Sequence, residues 1–538
     1  MRSSVKDPEL MYGRRWYTLL VLCVSLMVIG LDNTILNVAL PTLSRSLHAS
    51  TSQLQWIVDA YVIVFAGLLL TAGSLGDRFG RYKGLTFGLA IFGIGSLSSA
   101  LATSSTQLIA TRAFMGIGGA FIMPATLSII TNVFRDPVER GKAIGIWAGV
   151  SALGIGFGPV VGGFLLTHFW WGSVFLVNVP IVIVGLVAGW FLVPDSRDPS
   201  APKLDPLGAL LSITGLAVLL YAVIEAPSHG WTSPSTLVAF GVGFVGLGLF
   251  MAWELHYDSP MLDIRFFENP RFTAASAAIT MTFFTLFGML FLLTGYLQSV
   301  LGYSTLKAGA ILVPQALVMM VVAPSSSGFV RRFGNKIVVA FGLSVVTVTL
   351  LLMGQLTVSS PLWYVIFVTA LLGVGMGNVM APATDSIMGA LPREKAGVGS
   401  AVNDTTRQVG GAAGVAVLGS ILSSQYRSTV TDKLRVDQIS VQAQQAIKAN
   451  IGQAVNIAHS RQLAALQSHV VSVARNAYVS AFHTAVYAGA VVTAFAIFGV
   501  VKWLPARAAN EQVVGVGRSA DATLVTSTCE PEVALDAG

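Results

Sequence analysis

The chain has 538 residues, of which 54% are hydrophobic and only 11% charged, with a net charge of +7 and a mean hydropathy of +0.73. An ordinary soluble domain carries about 25% charged residues, so a string of soluble domains is excluded and lipid is the main solvent. Two cysteines exclude a disulfide scaffold or a Cys-based zinc site, and without HExxH or GxxxxGK[ST] neither zinc proteolysis nor P-loop ATP hydrolysis is supported.

Apolar runs long enough to cross a bilayer come in three blocks. The first holds six: 16–40, 53–75, 84–103, 107–133, 142–167 and 173–193. A Pro-rich break, Pro194 to Pro206, leads to two more at 207–226 and 234–255. After the amphipathic stretch His256–Arg271 come six again: 272–299, 308–330, 336–356, 362–390, 398–422 and 480–504. The first run is too long for the apolar region of a cleavable signal peptide. Fourteen spans make an all-α integral membrane protein. The domain reading is 1–15 as a cytoplasmic N-terminus, 16–193 as a six-helix bundle, and 194–271 as a linker with two extra spans. A second six-helix bundle covers 272–504, with a long external loop at 423–479, and 505–538 is a disordered cytoplasmic tail.

Lys and Arg set the orientation. They fill the N-terminus (Arg2, Lys6, Arg14, Arg15) and the even-numbered loops, such as Arg78, Arg81 and Lys83, while short odd-numbered loops hold only Arg45 and Lys307. Both termini are therefore expected in the cytoplasm. The basic balance is this inside bias, so no nucleic-acid partner is expected. Residues 423–479 fall outside; their Ala, Gln and Val content reads as a solvated helical insert, favoured over a lid.

The two six-span blocks repeat. Pro124-Ala125-Thr126-Leu127-Ser128-Ile129 in the fourth span matches Pro382-Ala383-Thr384-Asp385-Ser386-Ile387 in the twelfth at five of six positions, and Arg78-Phe79-Gly80 matches Arg332-Phe333-Gly334. Parallel repeats of this kind suit alternating access between two rocking halves.

In the first six-span block, Asp32, Asp59 and Arg112 sit inside spans, where an unpaired charge is expensive. At 1.5 Å per residue, Asp32 lies roughly 24 Å above the inner end of its span, and Asp59 and Arg112 lie roughly 9 and 8 Å below the outer ends of theirs, all in the outer third of one half. One carboxylate is expected to pair with Arg112 and the other to exchange a proton. Asp385 reads as a structural partner of Arg331, Arg332 or Lys336. Arg407 has no obvious acid in its half. In the ninth span Phe283, Phe287 and Met289, with Gln298 beyond them, are candidate cavity walls, though such side chains face lipid or core more often.

Gly73-Ser74-Leu75-Gly76-Asp77-Arg78-Phe79-Gly80-Arg81-Tyr82-Lys83 resembles the signature loop of the major facilitator superfamily. The segment Leu108-Ile109-Ala110-Thr111-Arg112 through Gly119 is similar to that family's fourth-span motif, with Met115 where Gln is usual. Gly154, Gly158, Pro159, Gly162 and Gly163 resemble its antiporter motif, and Leu31-Asp32-Asn33-Thr34 through Pro41 resembles the first-span motif of drug:proton antiporters. Together with fourteen spans and Phe175–Pro180, these motifs look like the EmrB/QacA-type multidrug exporters. The resemblance implies two six-helix bundles plus two extra helices, a gating loop of Gly73, Asp77, Arg78, Gly80 and Arg81, and proton coupling through Asp32 and Arg112, to which the depth argument adds Asp59. It also implies amphipathic small-molecule substrates, a bacterial cytoplasmic membrane, a monomer, no catalysis, no metal and no cofactor, the proton gradient supplying the work. A specific metabolite or lipid as substrate, or a non-transporting receptor, are the alternatives.

Overall fold

A computed structural model describes residues 12–134, 136–197, 205–258, 260, 262–390, 396–433, 440–458 and 466–505. The N-terminal eleven residues and the tail from 506 lie outside the described residues. All regular structure described is helical. Each of the fourteen predicted spans falls on a helix: α1 (Arg15–Ser46), α2 (Thr51–Phe79), α3 (Arg81–Ala100), α4 (Ser105–Val133), α5 (Pro137–His168), α6 (Asn178–Leu192, after a single turn at Ser173–Leu176), α7 (Pro206–His229) and α8 (Pro234–His256) in the first part. Then come α9 (Pro270–Gly295, ending in a π turn at Tyr296–Val300), α10 (Thr305–Phe333), α11 (Asn335–Met353), α12 (Leu362–Gly389), α13 (Ala396–Lys433), α14 (Val441–Ala449), α15 (Ile451–Ala458) and α16 (Gln467–Trp503). Eleven helical segments among the described residues are long and apolar enough to cross a membrane; α3 and α13, diluted by Gly, Ser and polar side chains, are not among them.

Local chemistry starts these helices where it should. Ser50 and Gln53 form a reciprocal capping box on α2. Pro at the first helical position follows an Asp, Ser or Asn cap in α5, α7, α8 and α9. Gly80 (φ +125°) and Gly334 (φ +84°) turn α2 into α3 and α10 into α11; this is a region that side chains with a Cβ rarely adopt. The repeat seen in sequence therefore reappears as backbone geometry. The outward faces stay apolar, with Phe244, Val245, Val321 and Phe495 exposed, as expected of a lipid-facing surface.

Residues 15–193 and 270–503 meet mainly through α5 on α10 and α2 on α13. Every hydrogen bond described between these two stretches lies at the predicted outer end. Gln55 Nε2 donates to Val415 O (3.1 Å), Ala416 O (2.9 Å) and Ser420 Oγ (3.3 Å), and Gln298 Nε2 donates to Val38 O (2.8 Å). Thr305 Oγ1 donates to Gly163 O (3.4 Å).

The 423–479 segment departs from expectation. Its described residues, 423–433, 440–458 and 466–479, are largely helical, but they are not a freely solvated insert. α14 and α15 bury Ala443, Ile447, Ile451, Ala454 and Ala458, and they dock across the α1–α2 turn of the other half. Ser44 Oγ donates to Asn450 Oδ1 (2.8 Å), Asn450 Nδ2 and Gln453 Nε2 both donate to Ala49 O (2.7 and 2.9 Å), and Thr51 Oγ1 donates to Ala449 O (2.9 Å). The amphipathic spacing of small apolar residues, rather than overall polarity, decides this placement.

Candidate functional site

The buried charges gather where α1, α2, α4 and α6 converge. Arg112 and Asp32 have 1% and 0% of their side chains exposed, and Arg112 Nη1 lies 2.5 Å from Asp32 Oδ2. Arg112 Nε donates to Ile57 O at 3.1 Å, and the guanidinium sits 4.5 Å over the Tyr61 ring. The other Asp32 oxygen accepts from Asn178 Nδ2 at 3.2 Å, and Asn178 also donates to Ser96 Oγ. Both oxygens of Asp32 and three faces of Arg112 are thus partnered. A buried ion pair survives only with such additional hydrogen bonds. Met115, standing where the resembled family usually has Gln, still touches the site: its sulfur accepts from Ser99 Oγ at 3.4 Å and lies 3.9 Å from Arg112 Nη1.

Asp59 is also fully buried, yet neither carboxylate oxygen has a hydrogen-bond partner and none of Arg112's bonds reaches it. It lies one helical turn from Gln55, on the α2 face that meets α13. The expected trio is therefore one closed pair plus one separate acid at the interface between the halves. Depth alone places residues along a helix and says nothing about the face they occupy.

The antiporter motif is a packing surface. A Cβ at Gly154 would come within 3.3 Å of Gly30 Cα, one at Gly158 would collide with Thr34 Oγ1, and one at Gly162 would lie 2.8 Å from Ile35. This stripe holds α5 along α1 from Gly30 to Ile35, around Asp32. Gly163 faces away: its Cβ would meet the backbone of Thr305 and Leu306, and Pro159 meets Gly309, so these two residues close α5 on α10.

In the predicted gating loop Asp77 pairs within its own turn, with Arg81 Nε at 2.6 Å. Arg81 reaches on to Ser128 O (3.4 Å), and its backbone N–H donates to Ser196 O (2.9 Å). Gly73 lies beside Pro124, and Gly80 abuts Asp195 so closely that a Cβ would sit 2.6 Å from the carboxylate. Arg78 is exposed, with the Phe79 ring as its contact among the described residues. In the second copy Asn335 replaces Arg81 and donates to Pro382 O (3.0 Å) and Ser386 Oγ. Asn335 thus stands where Asp385 was expected to meet Arg331, Arg332 or Lys336, and Asp385 is exposed and makes no ion pair among the described residues. Arg407, expected to lack an acid, has one: Asp404 Oδ1 lies 3.7 Å from Nη1, one turn earlier on the same face.

A small cavity of about 30 Å³, room for a water molecule rather than a drug-sized ligand, lies between the halves, lined by Thr34, Pro159, Leu286, Leu290, Leu312, Gln315, Ala316 and Met319. Phe283, Phe287, Met289 and Gln298 are not in this wall. Phe283 and Phe287 stack on each other at 6.1 Å, Phe287 packs on Gly411, Met289 is core, and Gln298 joins the outer closure. Their neighbours Leu286 and Leu290, one turn apart on a single face, line the cavity instead.

A two-part helical membrane protein with a cavity between its parts and a sealed ion pair beside it has the form of a transporter. The model of the Major Facilitator Superfamily matches residues 22–415, and the chain belongs to that family. It is 39% identical over 432 residues to the multidrug efflux pump LfrA of Mycolicibacterium smegmatis, covering 80% of this chain and 84% of that one. It is 34% identical to the methyl viologen resistance protein SmvA of Salmonella typhimurium (87% and 93% covered) and 34% identical to the multidrug resistance protein Stp of Mycobacterium tuberculosis (78% and 78%). Among solved structures, a bacterial homologue of the human lysosomal transporter Spinster matches with a TM-score of 0.64 at 17% identity, covering 92% of this chain and 98% of that one. At that identity the likeness shows the fold alone.

Proposed function

We propose that the protein is a proton-coupled antiporter of the fourteen-span branch that exports amphipathic small molecules from the bacterial cytoplasm by alternating access. Both termini are cytoplasmic, residues 16–193 and 272–504 are the rocking halves, and α7 and α8 are the two extra spans. The drug-resistance relatives support export. The observation that carries coupling is the sealed Asp32–Arg112 pair. While Asp32 is ionised, Arg112 and Asn178 tie α1 to α4 and α6. A proton taken up by Asp32 removes the ion pair and frees α1, which lies on the glycine stripe of α5. A charge at this depth costs about 3 kcal/mol when unpaired, so loading and unloading the proton changes which arrangement of helices is favoured. Asp59, without a hydrogen-bond partner at the seam between the halves, is the second proton site.

The test is efflux in proteoliposomes with an imposed pH difference. Asp32→Asn keeps size and hydrogen bonding but does not titrate. It is expected to insert and bind substrate, yet to build no substrate gradient and to ignore collapse of the proton gradient. Proton-driven accumulation at the wild-type level by Asp32→Asn contradicts the assignment.

A further inference from the structure

Arg407, a partly buried cation within α13, is not used by the coupling scheme. Its Nη2 donates to Thr384 Oγ1 at 3.2 Å, and Thr384 in turn donates to Asn403 Oδ1. Its Nη1 is 3.7 Å from Asp404, beyond ordinary hydrogen-bond length. Its Nε is buried without an acceptor, and its Cζ lies 5.4 Å over the Phe283 ring. About a quarter of the side chain, 27%, remains exposed.

The internal repeat shows what this position needs for structure alone. Thr126, the counterpart of Thr384, accepts from Trp147 Nε1 at 3.1 Å. An indole offers a single donor, and that donor is enough to join the two helices in the first half. The second half places a five-donor guanidinium at the equivalent threonine and leaves donors unused. Phe283 precedes Leu286 by three residues on the same face of α9, and Leu286 lines the central cavity. The N-terminal end of α9 is its predicted inner end, so Arg407 and Phe283 stand one turn inward of the cavity, on the path of a molecule arriving from the cytoplasm.

We propose that Arg407, seated over Phe283 at the inner mouth of the central cavity, recognises planar aromatic substrates that carry a carbonyl or similar oxygen acceptor. Phe283 is covered by Phe287 and the guanidinium, so the aromatic plane of the ligand stacks on the exposed part of the guanidinium, and its oxygen takes the unused donors at about the strength of a charge-assisted hydrogen bond. This assignment rests on the efflux reading and names the substrate class for that site.

Two fluorescent probes separate the terms. Daunorubicin and ethidium are both planar cations, but only daunorubicin carries quinone oxygens. Arg407→Gln is expected to raise the KM for daunorubicin transport roughly tenfold, the effect of losing one charge-assisted hydrogen bond, while ethidium transport stays at the wild-type level. Equal loss for both probes means that Arg407 is a structural strut, and no change for either means that it does not meet substrate; each overturns the assignment. Should Arg407→Gln be missing from the membrane, Arg407→Lys keeps the cation beside Asp404, lacks the Nε donor, and carries the same selective expectation. Binding of the two probes to purified protein reads the same selectivity without transport. If the wild type exports neither probe, the efflux reading fails; a selective loss of daunorubicin binding in the variant then still supports the Arg407 site, and equal binding still overturns it.

Discussion

Asn178 is the residue whose role is least visible in sequence and plainest in the fold. It completes the shell of Asp32 by donating to the oxygen that Arg112 leaves free. Asn178→Ala leaves one buried carboxylate oxygen without a donor, at a cost of about 1–3 kcal/mol, and is expected to lower the melting temperature and slow transport while leaving proton dependence intact. Thermal unfolding in detergent, set beside efflux rates, checks this; a variant of wild-type stability contradicts the contact. Asp59→Asn has the opposite signature, because no hydrogen bond is lost. Stability should hold or rise while the pH dependence of transport changes. Asp32 and Arg112 were legible because an acid and a guanidinium inside apolar runs require a partner. Asn178 was hidden because an amide is cheap enough to appear in a span for many reasons. Asp385 and Arg407 were misjudged because their depths were read without their faces: Asp404, three residues before Arg407, shares its face, whereas Asn335 stands where Asp385 was expected to find a charge.

At the scale of elements, the closure at the predicted outer end is a set of neutral hydrogen bonds. Gln55 holds α2 to three acceptors on α13, and Asn450 holds the α14–α15 insert to the α1–α2 turn. Individually these bonds are weak, about 1 kcal/mol each, which suits a contact that alternating access must break every cycle. Ser44 and Asn450 are in direct contact, so the double variant Ser44→Cys with Asn450→Cys is expected to cross-link under oxidation, stop efflux, and recover on reduction. Cross-linking with undiminished efflux would show that the insert does not have to lift. Gly158→Val probes the α1–α5 seam. Its side chain collides with Thr34, and overpacking of this kind costs about 1–3 kcal/mol, so lower thermal stability with loss of transport is expected. The helices themselves were legible, because capping residues, Gly-turns and run lengths are local signals. The docking of the insert was not, because what it packs against lies about 400 positions earlier in the chain.

At the scale of the whole molecule, the two halves share a fold but divide the chemistry. The first half carries the sealed ion pair and the charged loop Asp77–Arg81, while the second replaces that loop's arginine with Asn335 and carries Arg407. The duplication was legible from Pro-Ala-Thr and Arg-Phe-Gly at matched spacing; the division of labour was not, because it rests on single substitutions within matched positions. The orientation read from Lys and Arg predicts that a reporter fused at Ser440 lies outside and one fused after Arg507 lies inside, measured with paired phosphatase and fluorescent fusions. Both reporters on the same side would remove one span from the count.

Coupled exchange is the central claim, and proton movement caused by substrate tests it most directly. Proteoliposomes are loaded with a pH-sensitive dye in an acidic lumen, and ethidium is added outside. An antiporter must let protons leave as ethidium enters, so the lumen should turn alkaline in step with ethidium uptake in the wild type and not in Asp32→Asn. Ethidium accumulation with no change in lumenal pH in the wild type would contradict proton coupling.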